Sequence, residues 1–222
     1  MGKTSLVNQK ILLILLVLGL VTSLFANFYW YNSNNRKLER FSYQQYNVVL
    51  SDYENNILST SQSILSQLES SIVNHKISTE EILFLYTSYE ELNDYQINYA
   101  NYVQTYNSPE GKKASSLEEP ITLNYVPGFV YFNSSITLFK KLLLQNNSNS
   151  KVVVVTDNLE KRLKIALQIV QINTKIYEKF INKNINPLSD EAILTRLKLQ
   201  KDLTASFTKL TELDLELSRL DY

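Results

Sequence analysis

Apolar positions along most of this chain recur at steps of three and four, the spacing of one face of an α-helix. Leu50, Tyr53, Ile57, Ser61, Ile64, Leu68 and Ile72 form the first such seam and predict a helix over residues 36–75. Ser78-Thr79-Glu80-Glu81 fits a capping box, with Ser78 as N-cap and Glu81 three positions on. It opens a second helix running to Tyr106, with Ile82, Leu85, Tyr89, Leu92, Gln96, Tyr99, Val103 and Tyr106 on one face. A third helix is predicted over Phe129–Leu144. A fourth starts near Thr156 or Asp157 and continues to Asn182, with Leu159, Leu163, Ala166, Val170, Asn173, Tyr177 and Phe180 in line. Ile165, Ile169, Ile172 and Ile176 widen that face, which predicts contact with more than one neighbour. After Pro187, Ser189 is placed to cap a last helix over Asp190–Leu220, with Leu203, Phe207, Leu210, Leu213, Leu217 and Leu220 as its seam. Val152 to Val155 is the one strand-like run. No partner strand is evident, so it reads as an extended lead-in to the fourth helix.

The N-terminal pattern differs. Ile11 to Phe25 reads ILLILLVLGLVTSLF, and no charged residue occurs from Ile11 through Asn35. This segment has no polar face, unlike a helix buried on one side. With Phe28, Tyr29, Trp30 and Tyr31 at its end, Ile11 to Trp30 has the length and aromatic border of a membrane span. Its twelve Leu, Ile, Val and Phe residues between Ile11 and Phe25 favour insertion by roughly 4–7 kcal/mol. A cleaved signal peptide is the competing reading, but Leu24 stands where a small residue is wanted before a cut at Ala26. The flanking bases, Lys3 and Lys10 against Arg36, Lys37 and Arg40, nearly balance. The absence of cysteine and the short lysine-bearing tail favour an inside N-terminus.

The expected architecture is all-α. It has a tail over residues 1–10, a transmembrane anchor over 11–30, and an extracytoplasmic antiparallel bundle over 36–222. The bundle has about four long helices and one short one. Glycine and proline number four each, and Pro109, Pro120, Pro127, Gly111 and Gly128 cluster together. They mark an irregular connection over residues 107–128. In outline the plan resembles the extracytoplasmic helical sensor domains of bacterial chemoreceptors and kinases, without a shared motif.

Net charge is zero, but it is unevenly spread: +4 over residues 1–40, −8 over 41–120 and +4 over 121–222. The simplest consequence is an acidic front half packed against a basic back half. No basic run suggests nucleic acid. His75 is the only histidine and there is no cysteine, so di-iron, multi-histidine zinc and thiolate sites have no ligand set. Glu90, Glu91 and Asp94 place carboxylates on adjacent helical positions and read as a solvated acidic face. No catalytic residue, cofactor or metal site is expected, and the chain does not read as an enzyme.

The expected function is an interaction or scaffold module of the cell envelope. Its partners would be the lipid bilayer through residues 11–30 and a protein, or a second copy, through helical faces. Aromatic residues beside Pro127-Gly128, namely Tyr125, Phe129, Tyr131 and Phe132, are the candidate partner contacts; the alternative is that they cap one end of the bundle. A ligand-binding sensory domain that signals through a separate protein is the second expectation. The tyrosine-rich second helix (Tyr86, Tyr89, Tyr95, Tyr99, Tyr102 and Tyr106) would line its cleft.

Overall fold

The computed structural model describes residues 3–106, 131–146, 152–181 and 190–220. It holds five helices and a two-stranded ribbon among these residues: α1 (Lys3–Val73), β1 (Lys76–Ser78), α2 (Thr79–Tyr106), α3 (Asn133–Gln145), β2 (Val152–Val154), α4 (Asp157–Ile181) and α5 (Asp190–Arg219). Four helices are long and α3 is short. α1 packs against α2 and α4, α4 against α5, α2 against α3, and α3 against α5. α1 runs opposite to α4, as Ser61 meets Asn173 and His75 meets Glu160, and opposite to α2, which turns back after the short connection so that Tyr99 meets Glu54. The core is lined by the seams read from periodicity. Ile57, Ile64, Leu68, Leu85, Tyr89, Leu163, Ala166, Val170, Leu203 and Leu210 are all buried.

The capping box forms as its sequence predicts. Ser78 N donates to Glu81 Oε2 at 2.7 Å, and Glu81 N donates to Ser78 Oγ at 3.1 Å. The strand-like valines depart from expectation. They do pair, antiparallel to Lys76–Ser78, with Ile77 opposite Val153. The partner was hidden in sequence because Lys-Ile-Ser is too short and too polar to read as a strand. A left-handed turn at His75, φ 50°, sends the chain from α1 straight into it. α3 starts later than expected, at Asn133, because Tyr131 and Phe132 form the turn that precedes it.

α1 is one unbroken helix of 71 residues, about 107 Å long at about 1.5 Å per residue. Asn32 to Asn35 are therefore helical, and no joint separates the apolar segment from the bundle. The first buried side chain among those described is Leu50. The N-terminal part of α1 consequently projects as a rod from the end of the bundle where α2 and α4 finish. The expected anchor lies on this rod, though the side chains of residues 11–15 lie outside those described. Among the described residues no helix is long and apolar enough to cross a membrane. The structure supplies the helix of the expected anchor but not a spanning segment.

Candidate functional site: an apolar rod and a polar layer in the bundle core

Between Leu16 and Tyr31 the rod carries a broad exposed apolar surface, with the small residues Gly19, Thr22, Ser23 and Ala26 on the remaining side. Leu16, Val17, Leu18, Leu20, Val21, Leu24, Phe25, Phe28, Tyr29, Trp30 and Tyr31 are each 41–78 % exposed. From Leu16 to Phe28 they cover rather more than half of the helix's circumference, and Tyr29 and Trp30 reach the other side. Thr22 Oγ1 satisfies itself by donating to the Leu18 carbonyl at 2.8 Å. Isolated exposed leucines are ordinary on soluble surfaces, whereas a continuous apolar surface of this breadth seeks cover.

Inside the bundle the seams carry polar residues at matched heights. Glu54 from α1 accepts from Arg196 Nε of α5 at 2.7 Å and from Arg196 Nη2 at 3.2 Å, a bidentate pair. Tyr99 OH of α2 donates to the same carboxylate at 3.1 Å. Burial pushes the Glu54 carboxyl above the usual carboxylate range, against the pull of Arg196 and Tyr99. Tyr177 of α4 stacks edge-on to Tyr99, with centroids 6.5 Å apart. Desolvation holds the Tyr177 hydroxyl well above its ordinary value, reinforced by Tyr99, Tyr131 and Glu54 nearby.

Two turns along α1, a second network centres on Asn173 of α4. Its Oδ1 accepts from Gln96 Nε2 at 2.8 Å and from Tyr131 OH at 3.0 Å, while its Nδ2 donates to Ser61 Oγ at 3.1 Å. Ser61, Gln96, Tyr131 and Asn173 are all buried. A third polar link joins α2 to α4 where Tyr89 OH donates to the Ala166 carbonyl at 3.2 Å. Helices that are not neighbours around the bundle are thus tied through its middle. A few buried atoms lack a hydrogen bond among the described residues, including Tyr177 OH, Gln96 Oε1 and Thr174 Oγ1.

Of the four aromatic candidates, Tyr125 and Phe129 lie outside the described residues. Tyr131 and Phe132 are in the core, 1 % and 0 % exposed, where Phe132 packs edge-on against Tyr89 at 5.7 Å. Neither ring lies on a surface that a partner could reach. The α2 tyrosines divide: Tyr89 and Tyr99 are core, while Tyr95 and Tyr102 flank Tyr53 on the α1–α2 surface at 6.5 and 5.4 Å. His75 is exposed and sits 3.5 Å from Glu160. Glu90 accepts from Tyr86 OH at 2.5 Å on the surface, and Glu91 and Asp94 are not brought to a site. No group of three metal-ligating residues occurs among the described residues. The acidic front half meets the basic back half at Glu54–Arg196, a pair that the seams failed to flag. Glu54 lies within its seam between Leu50 and Ile57, and Arg196 precedes Leu199 and Leu203 by one turn, so the signal was a charge at a core position.

Comparison of the chain with protein-family models, with characterised proteins and with solved structures finds no match.

Proposed function

We propose that this protein is a membrane-anchored interaction module of the cell envelope, held in the bilayer by residues 11–30 and presenting its bundle on the extracytoplasmic side. The observation that supports this most is the broad exposed apolar surface of the rod from Leu16 to Tyr31. Water is a poor solvent for such a surface, and lipid is a good one. The helix leaves no joint between anchor and bundle, so the bundle would be held at a set distance from the membrane. Between Trp30 and Leu50 the rod spans about 30 Å at about 1.5 Å per residue. The role is non-catalytic, acting through contacts.

The test is extraction. Wild-type chain should stay with membranes in alkaline carbonate and leave them in detergent, and the Leu18→Arg variant should shift toward the soluble or aggregated fraction. Recovery of the wild type in the carbonate supernatant would remove the reading.

A sensory role draws on a separate observation, the buried polar groups of α2 and α4 that lack partners. A small polar ligand satisfying Gln96 and Tyr177 would stiffen the core. Thermal melting of the full chain against a panel of small polar metabolites tests this; a melting temperature unmoved by any of them would count against it.

A further inference from the structure

α2 packs on α1 and on α3, and its remaining side is turned out of the bundle. Three apolar side chains stand on that side, with Leu83 51 %, Phe84 41 % and Ile97 39 % exposed. Single exposed leucines are ordinary, but these are ordered. Leu83, Thr87, Glu90, Asp94 and Ile97 follow at steps of three and four and form one column along the helix. Phe84, Glu91, Tyr95 and Tyr102 form a second column beside it. Both columns are apolar or aromatic at their ends and acidic between. Leu83 and Ile97 lie about 21 Å apart along the axis, at about 1.5 Å per residue. Tyr95 and Tyr102 rest on Tyr53 of α1, with ring centroids 6.5 and 5.4 Å away.

The charge of this face has one sign. α2 carries five carboxylates and no lysine or arginine, and α1 carries neither base from Leu50 to Val73. Glu80, Glu90, Glu91 and Asp94 are exposed, and no salt bridge among the described residues reaches any of them. Glu90 accepts from Tyr86 OH, which leaves its charge in place. Glu90 and Glu91 stand four and three positions before Asp94, spacings at which like charges repel and weaken a helix. The basic back half of the chain does not neutralise them.

We propose that the outer face of α2 docks a basic amphipathic helix of a partner protein. Its apolar side chains, about four turns apart, seat on Leu83 and Phe84 at one end and on Ile97 at the other. Its lysines or arginines lie between them, over Glu90, Glu91 and Asp94. A helix laid along another helix presents side chains at this spacing. The rings of Tyr95 and Tyr102 add a further attraction for cations. An anionic bilayer would be repelled by these carboxylates. A second copy meeting this face about a two-fold axis would set carboxylate against carboxylate. The proposal names the partner of the interaction module and rests on that reading, but not on the anchor.

The probe is a synthetic lysine-rich helix of about 30 Å, with leucine pairs at the spacing of Leu83 and Ile97, lysines between them on the same face, and fluorescein at one end. Fluorescence anisotropy should show saturable binding to the full-length chain in dodecylmaltoside micelles, above the signal of empty micelles. Glu90→Lys with Glu91→Lys should weaken binding about tenfold or more, and Leu83→Ser with Phe84→Ser about fivefold or more. Glu212→Lys with Glu216→Lys, on the exposed side of α5, should leave binding within about twofold of wild type. A peptide of the same residues with its leucine pairs two turns closer should bind about fivefold more weakly or worse. Every substituted side chain is exposed, and near-ultraviolet circular dichroism checks that the bundle is intact. No binding of the matched peptide, α2 variants that bind like wild type, equal loss from the α5 variant, or indifference to the leucine spacing would each overturn the proposal. Carbonate extraction reads the anchor on its own. A chain that leaves the membrane yet binds the matched peptide removes the anchor alone, and one that stays but does not bind removes the docking face alone.

Discussion

Glu54 and Arg196, 142 positions apart in sequence, form a bidentate ion pair in the interior that ties the first helix to the last. The pair exposes almost nothing, with side chains 9 % and 6 % accessible. Two desolvated charges are an expensive way to fill a core, and their mutual attraction offsets that cost only while both are present. Their value lies in fixing which turn of α5 sits against which turn of α1.

Removing one partner should therefore cost more than removing both. Arg196→Met alone leaves a buried carboxylate and should destabilise the bundle by about 3–5 kcal/mol. Glu54→Leu combined with Arg196→Met should cost clearly less than Arg196→Met alone. Denaturant unfolding of the full chain, followed through the near-ultraviolet signal of the buried tyrosines, measures the difference. A strictly additive double variant would contradict the pairing.

Asn173 should behave as a hub. Asn173→Ala removes three buried hydrogen bonds at once, to Gln96, Tyr131 and Ser61, and at about 0.5–1.5 kcal/mol for each the loss should come to about 1.5–4.5 kcal/mol. Tyr177→Phe should do the reverse. Its hydroxyl is buried without a hydrogen bond among the described residues, so its removal should leave stability unchanged or raise it by up to about 1 kcal/mol. The melting temperature should fall for Asn173→Ala and stay level or rise for Tyr177→Phe.

Two carboxylates should give opposite pH dependences. The Ser78 amide holds Glu81 below the usual carboxylate range. The unfolded chain then binds that proton more readily than the fold, so the capping contribution is full above the ordinary glutamate value near about 4.3 and drains as pH falls through the folded value. Glu54 lies above the range because of burial. Its contribution is full below the ordinary value and is lost as pH rises through the folded one. Stability against pH for Glu81→Gln and Glu54→Gln, each subtracted from wild type, should slope in opposite senses. Ser78→Ala should cost about 1 kcal/mol near neutral pH.

His75 occupies the left-handed region at φ 50°, where a side chain is strained. Its contact with Glu160 is exposed and weak. His75→Gly should be neutral or stabilising by about 0.5 kcal/mol, and His75→Val should cost about 1–2 kcal/mol. Unfolding midpoints rank the three. A His75→Val variant as stable as wild type would mean that the turn relaxes.

The helical seams were legible because periodicity reports directly which side of a helix meets the core. Ser61, Gln96 and Asn173 were visible on those seams as polar residues, but not that they bond to one another. That depends on heights set by helix packing. Glu54 and Arg196 were missed for the reason that makes them informative: charges are expected outside, and only a partner across the core keeps them in.

The sequence by itself determined the helices, the capping box at Ser78, the position of the last helix and the unbroken apolar character of the N-terminal segment. These follow from local spacing and local hydrogen bonding, which a linear chain carries in full. Only the tertiary structure decided that Lys76–Ser78 is a strand, that Tyr131 and Phe132 are core, and that the apolar segment and the first bundle helix are a single rod. Each of these depends on what lies opposite a residue in space, and a strand or a buried ring exists only when a distant partner arrives to complete it.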